Sequence, residues 1–240
     1  IDAADCQNLP IYYTAYANTA SVGSYFHMDQ VFPDLADLQL SMCSQNAAEF
    51  DRTLGQLDGI FFTGGDQARH LESFITRDGS GAYTVLSNQI RVLRERYQSG
   101  KLVVAGTSAG DSAQTGGLWK GASVPMIAGG DSWQALANGF VDGSGPTIEG
   151  AGTTGTRYPG GGLGFFEFGP LDSHFTNRSR EGRLIRLVKE GGVDYGFGVD
   201  ENTALVVGRL PGGNGTRMTV VGEAGVFVVD ARNATASGLP

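Results

Sequence analysis

Short apolar stretches alternate with an amphipathic segment in the middle of the chain. Residues 58–63 predict a buried strand that runs into the glycine pair Gly64-Gly65. In residues 83–97, apolar side chains recur every three or four positions between charged ones, which predicts a surface helix. Residues 102–105 predict the next buried strand. Strand, helix and strand in this order predict a right-handed crossover and an α/β fold, with three layers around a mostly parallel central sheet.

The second half of the chain has a glycine-rich stretch and then regains regular patterns. Residues 143–164 contain so much glycine that we expect a loop there, with neither a helix nor a long strand. Apolar patterns predict a strand at residues 165–168 and late strands at 203–207 and 226–229. A helix is predicted at residues 179–189, with these side chains facing inward: Leu184, Ile185, Leu187 and Val188.

Length and charge narrow the class of protein. We expect residues 1–240 to form one catalytic domain, because α/β domains of this size commonly remain single. A formal net charge of -8 argues against a nucleic-acid partner, which needs clustered cations. The chain has no apolar run near the roughly 20 residues needed to cross a membrane, and no visible signal peptide. The sequence starts at Ile1 and not at a methionine, so the question whether a targeting segment has been removed stays open.

Cysteine and histidine are too few and too scattered for a structural zinc site. Cys6 and Cys43 are consistent with one disulfide in an oxidising compartment, or with two separate buried thiols in the cytosol. The sequence leaves this choice open. We expect no cofactor and no metal.

A serine turn follows the predicted strand at residues 102–105. Its sequence, Gly106-Thr107-Ser108-Ala109-Gly110, fits the nucleophile elbow, in which small neighbours permit a strained turn that lifts a serine hydroxyl above a sheet. The same pattern can arise by chance in a glycine-rich chain. Its place at a strand end favours function and makes Ser108 the candidate nucleophile.

A serine nucleophile needs a base, and the chain offers His27, His70 and His174. His27 lies in an apolar stretch and is expected to be a packed side chain. His70 follows the Gly64-Gly65 turn on a predicted helix and remains an alternative. His174 is preferred, because it comes just after a predicted strand, where the carboxyl ends of parallel strands gather an active site.

The base needs an orienting acid, and the oxyanion needs two backbone donors. Glu201 ends another predicted strand and is the leading acid. Asp172 is too near His174 in sequence to be the obvious partner, and Asp200 is consistent with a turn cap. Ala109, which follows the nucleophile, and Gly65, which lets the main chain approach a substrate, are the expected oxyanion donors.

Arg178, Arg180 and Arg183 crowd the start of the helix predicted at residues 179–189. We call these three residues the arginine cluster. The helix dipole disfavours cations at this end, so the cluster is expected to cost stability unless an anionic ligand offsets the cost. The alternative is a solvated basic face.

Four segments together resemble the cyanophycinase branch of the serine peptidase family that also contains dipeptidase E. They are residues 61–67, residues 106–110, residues 172–175 with the arginine cluster, and residues 198–205. The resemblance implies an exo-acting serine hydrolase that releases β-Asp-Arg dipeptides from cyanophycin, a poly-aspartate with arginine on each side chain. It also implies no cofactor and a homodimer.

Carried over by position, the resemblance makes Ser108, His174 and Glu201 a catalytic triad. It assigns the substrate pocket to Gln67, Asp172, Ser173, Arg178, Arg180 and Arg183. Ser173 departs from the glutamine usual in the family, and Asp111 follows Gly110 where a small residue is commoner. The strand and helix that open the family's fold are not both identifiable before residues 12–15, so the domain is expected to lack its first element.

Three other functions compete with this hypothesis. A dipeptidase E-like enzyme would share the serine turn and cut Asp-containing dipeptides. A general α/β-hydrolase esterase orders its triad as serine, acid and histidine, whereas the order here is serine, histidine and acid. An inactive binding module would keep the pocket without turnover, and the intact candidate triad argues against it.

Overall fold

The computed structural model describes residues 55–79, 83–144 and 152–235. Several sequence-based hypotheses concern residues outside these ranges: the pairing of Cys6 with Cys43, the packing of His27, the missing first element near residues 12–15, and part of the glycine-rich stretch. Within the described ranges, no helix is both long and apolar enough to cross a membrane.

Most of the regular elements are short. The strands, in chain order, are β1 (Gly59–Phe62), β2 (Ile75–Arg77), β3 (Tyr83–Leu86), β4 (Val103–Gly106), β5 (Leu118–Trp119), β6 (Ala122–Ser123), β7 (Met126–Gly129), β8 (Phe140–Asp142), β9 (Gly155–Tyr158), β10 (Leu171–Asp172), β11 (Tyr195–Val199), β12 (Thr203–Arg209), β13 (Thr216–Gly222) and β14 (Val226–Asp230). The helices are α1 (Gln67–Phe74), α2 (Asn88–Gln98), α3 (Ala109–Ser112), α4 (Ser132–Asn138) and α5 (Glu181–Gly191), with a 3₁₀ turn at Thr176–Arg178.

The chain divides into two compact units. The described part of the first unit comprises residues 55–60, 71–79 and 83–103, and the second comprises residues 61–70, 104–144 and 152–235. Strands β1 and β4 pair with each other. Val103 N donates to Asp58 O, and Thr107 N donates to Phe62 O. The separation along the chain is the same for both bonds, as in a parallel pair. The two predicted strands are therefore confirmed.

The predicted start of the helix at residue 83 is wrong. Tyr83–Leu86 is strand β3, which pairs antiparallel with β2. Tyrosine, threonine and valine favour strands, and the local pairing outweighs the helical spacing of the apolar positions. The helix begins after Ser87, whose Oγ accepts a hydrogen bond from Ile90 N at 3.3 Å. A serine in this role satisfies an otherwise unpaired helical N–H.

The second unit contains mixed sheets. In one, β11 lies between β10, which is parallel to it, and β14, which is antiparallel. In another, β9 lies between the antiparallel β7 and the parallel β8. Strands β12 and β13 form an antiparallel pair over their whole length, which confirms the strand predicted at 203–207. The α/β class is confirmed, and three layers around one parallel sheet stay a prediction.

The strand predicted at residues 165–168 is not formed. Phe166 makes only an isolated parallel bridge with Thr115, because the backbone N–H groups of Phe165 and Phe166 both donate to Gln114 O. The strand that leads to His174 is β10 instead. Strand β9 lies inside the glycine-rich stretch, where the sequence predicts only loop.

Helix α5 packs one face into the core. Leu184, Leu187 and Val188 are fully buried, as expected from their spacing of three and four residues. Ile185 is 44% exposed, so its predicted inward position is wrong. It lies about 100° around the helix from Leu184, outside the buried stripe. The helix ends at Gly191, and the following Gly192 has a φ of 63°, the left-handed conformation found after many helices.

Candidate active site

Ser108 lies at a sharp turn between β4 and α3. Its backbone has φ 53° and ψ -119°, a conformation that costs energy for a residue other than glycine. The flanking glycines make the turn possible. A Cβ at Gly106 would lie 2.3 Å from Gly110 O, and a Cβ at Gly110 would lie 2.1 Å from Phe62 O. Only glycine fits at either position, so the turn has the form of a nucleophile elbow.

A chain of hydrogen bonds joins Ser108, His174 and Glu201. The Oγ atom of Ser108 lies 2.9 Å from His174 Nε2, and His174 Nδ1 lies 2.5 Å from Glu201 Oε1. His174 follows β10 and Glu201 follows β11. These strands are parallel neighbours, so their carboxyl ends lie side by side and bring the two side chains together.

The acid sets which nitrogen of His174 carries the proton. When Nδ1–H donates to Glu201, Nε2 has a free lone pair and can accept from the Ser108 hydroxyl. The hydrogen bond from His174 also holds the pKa of Glu201 below its usual value, so the carboxylate is ionised at neutral pH. The arrangement can remove a proton from the serine hydroxyl and hold the resulting imidazolium.

The alternative base and acid lie elsewhere in the second unit. His70 is buried, with Nε2 3.0 Å from Thr63 O, and burial lowers its pKa to about 4. Asp200 accepts a hydrogen bond from Thr176 N at 2.9 Å, and its bonding to Thr176 lowers its pKa. Asp200 therefore stabilises the turn after His174. Neither residue takes part in the bonds to Ser108.

A small cavity of about 180 Å³ opens beside Ser108. Gly65 and Ala109, the expected oxyanion donors, both line it. Among the described residues, no protein acceptor takes a hydrogen bond from the N–H of Gly65 or of Ala109. Both groups can therefore donate to a ligand oxygen. A Cβ at the neighbouring Gly64 would lie only 3.2 Å from Ser108 Cβ, so this turn closely approaches the serine.

Other predicted pocket residues also line the small cavity: Gln67, Ser173, Arg178 and Arg180. The amide nitrogen of Gln67 donates to Ile127 O at 2.9 Å and to Ala128 O at 2.8 Å. The protein thus fixes this side chain in place. Three further residues that line the small cavity were not predicted from the sequence: Asp66, Ser112 and Ala128. Asp66 directly follows Gly65, so its place in the sequence could have predicted its position at the cavity. Ala128 is far from Ser108 in sequence, and only the tertiary fold brings it to the cavity.

The arginine cluster is not a row of exposed cations. Arg183 Nε and Nη2 donate to the two carboxylate oxygens of Asp172, each at 2.7 Å, and Arg180 Nη1 lies 3.2 Å from Asp172 Oδ1. Asp172 is fully buried, and both arginines are buried as well. For Arg180 and Arg183, the anion that offsets the charge is therefore a carboxylate of the protein itself, whereas the sequence predicted an anionic ligand. Arg178 is exposed and lies at the edge of the small cavity.

Metal-binding side chains do not cluster in the part of the chain that the structure describes. Within the described residues, no group of three or more histidine, cysteine or acidic side chains could hold a metal ion.

Comparisons with known proteins point to one group. No family model matches the chain. The chain is 30% identical over 196 residues to a cyanophycinase from Nostoc sp., covering 81% of the chain and 52% of that protein. It is 31% identical over 190 residues to the cyanophycinase of Trichormus variabilis, covering 78% and 50%. With that of Synechococcus elongatus it is 29% identical over 221 residues, covering 90% and 56%. The chain thus spans about half the length of these curated relatives.

Proposed function

The chain is a relative of the cyanophycinases over most of its length, and we propose that it is a serine-type peptidase that degrades cyanophycin to β-Asp-Arg dipeptides. The observation that carries the proposal is the chain of hydrogen bonds from Ser108 through His174 to Glu201. A nucleophile bonded to a base, which is itself oriented by an acid, is the arrangement that acyl transfer needs.

In the first half of the reaction, Ser108 Oγ attacks the carbonyl carbon of an aspartate backbone peptide bond. The hydroxyl proton passes to His174 Nε2, and Glu201 stabilises the imidazolium that forms. The negative charge on the substrate oxygen is placed beside the N–H groups of Gly65 and Ala109. His174 then gives its proton to the leaving amine as the C–N bond breaks, and an acyl-enzyme on Ser108 remains.

In the second half, His174 takes a proton from a water molecule, whose oxygen attacks the acyl carbon. The proton returns to Ser108 Oγ as the ester bond breaks, so the β-Asp-Arg product leaves with a new carboxylate. The triad is thereby restored. Within the triad, Ser108 and His174 exchange protons with the substrate and the water, and Glu201 stays ionised throughout.

Substrate recognition is proposed to rest on the arginine cluster. Each unit of cyanophycin carries the free carboxylate of its arginine, and guanidinium groups bind carboxylates through paired, charge-assisted hydrogen bonds. Arg178 is the exposed member of the cluster at the small cavity. Asp172 is proposed to act indirectly, because it holds Arg180 and Arg183 in place. A homodimer stays a prediction from the family resemblance.

The nucleophile is tested by Ser108→Ala. We expect a loss of kcat on the order of 10⁶, as for other serine triads, with an unchanged melting temperature. The measurement is the release of soluble products from insoluble cyanophycin, identified by mass. Ser123→Ala, at an exposed serine in β6, is the matched control and should retain full activity. A folded Ser108→Ala protein that still releases dipeptides would rule out this mechanism.

A further inference from the structure

A larger cavity of about 670 Å³ adjoins the predicted substrate pocket. Arg178 and Arg180 line both this cavity and the small cavity beside Ser108. A ligand that reaches Ser108 and passes these arginines therefore has access to the larger space. Its volume is in the range of small-molecule sites, so it can hold a further part of a substrate.

One part of the lining combines an aromatic ring with a carboxylate. Trp133 is 72% exposed, although an indole is usually largely buried. Asp131 precedes α4 and caps it, with Oδ1 accepting from Gln134 N at 2.9 Å. Both residues line the larger cavity. An aromatic face beside a carboxylate suits a planar guanidinium, which stacks on rings and binds carboxylates.

The segment that carries these two residues is held in position. Ser132, which lies between them, accepts a hydrogen bond through Oγ from Arg183 N at 3.1 Å. Arg183 Nη1 donates to Gly130 O at 2.9 Å. Residues 130–133 are thus tied to the start of α5, and the aromatic and acidic side chains extend from the anchored start of α4.

The arginines in the lining supply the opposite charge. Asp172 accepts hydrogen bonds from Nε and Nη2 of Arg183, and Arg180 Nη1 donates to Asp172 and to Ser173 O. Arg178 is the exposed cation shared by the two cavities. The larger cavity therefore offers both a cationic group and an aromatic-acidic pair. A ligand that carries a carboxylate and a guanidinium together matches both.

We propose that the larger cavity is a second substrate subsite, in which Trp133 and Asp131 bind the guanidinium of an arginine-bearing unit while Arg178 binds its carboxylate. The proposal rests on the proposed function, since it assigns the larger cavity to the unit next to the one being cleaved. It makes Asp131 and Trp133 specificity-determining residues.

Binding is measured apart from cleavage, in the Ser108→Ala protein by titration calorimetry. The probes are a short soluble aspartate oligomer grafted with arginine and the same oligomer grafted with citrulline, a neutral analogue of arginine. We expect the arginine oligomer to bind about tenfold more tightly, the worth of one charge-assisted hydrogen bond. Asp131→Asn should abolish this preference, because asparagine can still cap α4 but carries no charge.

Trp133 is tested with the same probes. Trp133→Leu should weaken binding of the arginine oligomer about fivefold, and Trp133→Phe should restore most of it because the aromatic face remains. The matched controls are Asp142→Asn and Leu118→Ala, at exposed positions outside the cavity, and both should bind like the parent.

The outcomes separate this subsite from the proposed function. An undiminished arginine preference in Asp131→Asn, or no binding of either oligomer by the parent, would overturn the subsite. If the subsite is overturned but the protein with Ser108 intact still cleaves cyanophycin, the proposed function is retained. If that protein does not cleave the polymer but the preference disappears in Asp131→Asn, the subsite is supported and the function fails.

Discussion

At the scale of single residues, the serine turn shows why two glycines accompany the nucleophile. Ser108 adopts a positive φ, and the chain on both sides of it passes close to other backbone. The closest contact that a Cβ would make, both at Gly106 and at Gly110, is with a carbonyl oxygen of the main chain. Backbone atoms cannot rotate away as a flexible side chain can, so the strain at Ser108 is held by its surroundings.

Gly110→Ala should therefore damage both stability and function. The added Cβ would lie 2.1 Å from Phe62 O, and relieving that contact must shift α3 or β1. We expect a loss of about 3 kcal/mol in the free energy of unfolding, typical of overpacking, measured by denaturant titration. Activity should fall further than stability alone explains, because the Ser108 hydroxyl moves with the turn.

Gly208→Ala is the control for this substitution. A Cβ at Gly208 meets no atom within 4 Å, and its position in β12 requires no positive φ. Its stability should stay within about 0.5 kcal/mol of the parent or rise, since glycine weakens a strand. Equal effects of the two substitutions would mean that the turn tolerates a side chain.

At the scale of elements, buried ion pairs with Asp172 hold two arginines, Arg180 and Arg183, at the start of α5. Arg183 is 1% exposed and donates to Asp172, which lies in β10 just before His174. The same arginine contacts Gly130 O next to the segment that carries α4. The cluster thus links α5 to the strand that leads to the base and to the lining of the larger cavity.

Arg183→Ala should be strongly destabilising. Without Arg183, the buried Asp172 carboxylate keeps only the longer contact with Arg180 Nη1, at 3.2 Å. Breaking a buried ion pair costs about 3–5 kcal/mol, and we expect a loss near the lower end of this range because Arg180 remains. The measurement is the midpoint of thermal or denaturant unfolding. Arg178→Ala removes an exposed arginine from the same segment and should leave this midpoint nearly unchanged. Comparable stability of the two variants would show that the buried pair contributes little.

At the scale of the whole molecule, two buried groups give stability opposite dependences on pH. The pKa of His70 is lowered to about 4 by burial, so the unfolded chain binds its proton first and stability falls as pH drops from 6.5 toward 4. The pKa of Asp111 is raised to about 8, by burial and then by the charge of Asp172. The folded protein keeps the proton of Asp111 at pH values where the unfolded chain has lost it, so this contribution to stability declines as the pH rises from 3.8 toward 8.

Between about pH 4 and 6.5, the effects of His70 and Asp111 on the free energy of unfolding offset each other. Above this range, only Asp111 still changes the stability with pH. The Oδ2 atom of Asp111 is buried and has no hydrogen-bond partner among the described residues. Between pH 6.5 and 8, the protein should lose about 2 kcal/mol of stability relative to Asp111→Asn, which has no proton to lose. The measurement is the free energy of unfolding at a series of pH values. Parallel pH profiles for the two proteins would mean that Asp111 is ionised throughout.

Sequence patterns identified the elements and residues whose signal is local. The strands β1 and β4 and the serine turn rest on apolar runs followed directly by polar or glycine residues. The preference for His174 rested on a strand at residues 165–168 that is not formed, and β10 leads to this residue instead. A residue at the end of a buried strand lies at a sheet edge whatever surrounds it, so this kind of inference needs no tertiary information. The helix predicted from residue 83 failed because β2 supplies a pairing partner that periodicity does not reveal.

The sequence by itself determined the α/β class and the serine turn, because strand ends, turns and side-chain chemistry are properties of short segments. Only the tertiary structure decided how the arginine cluster is used, since its charges meet Asp172 across a helix and a strand. The same holds for the larger cavity, whose lining joins residues 130–136 to residues 178–183. Contacts between distant segments depend on how the elements pack, and no local pattern contains that information.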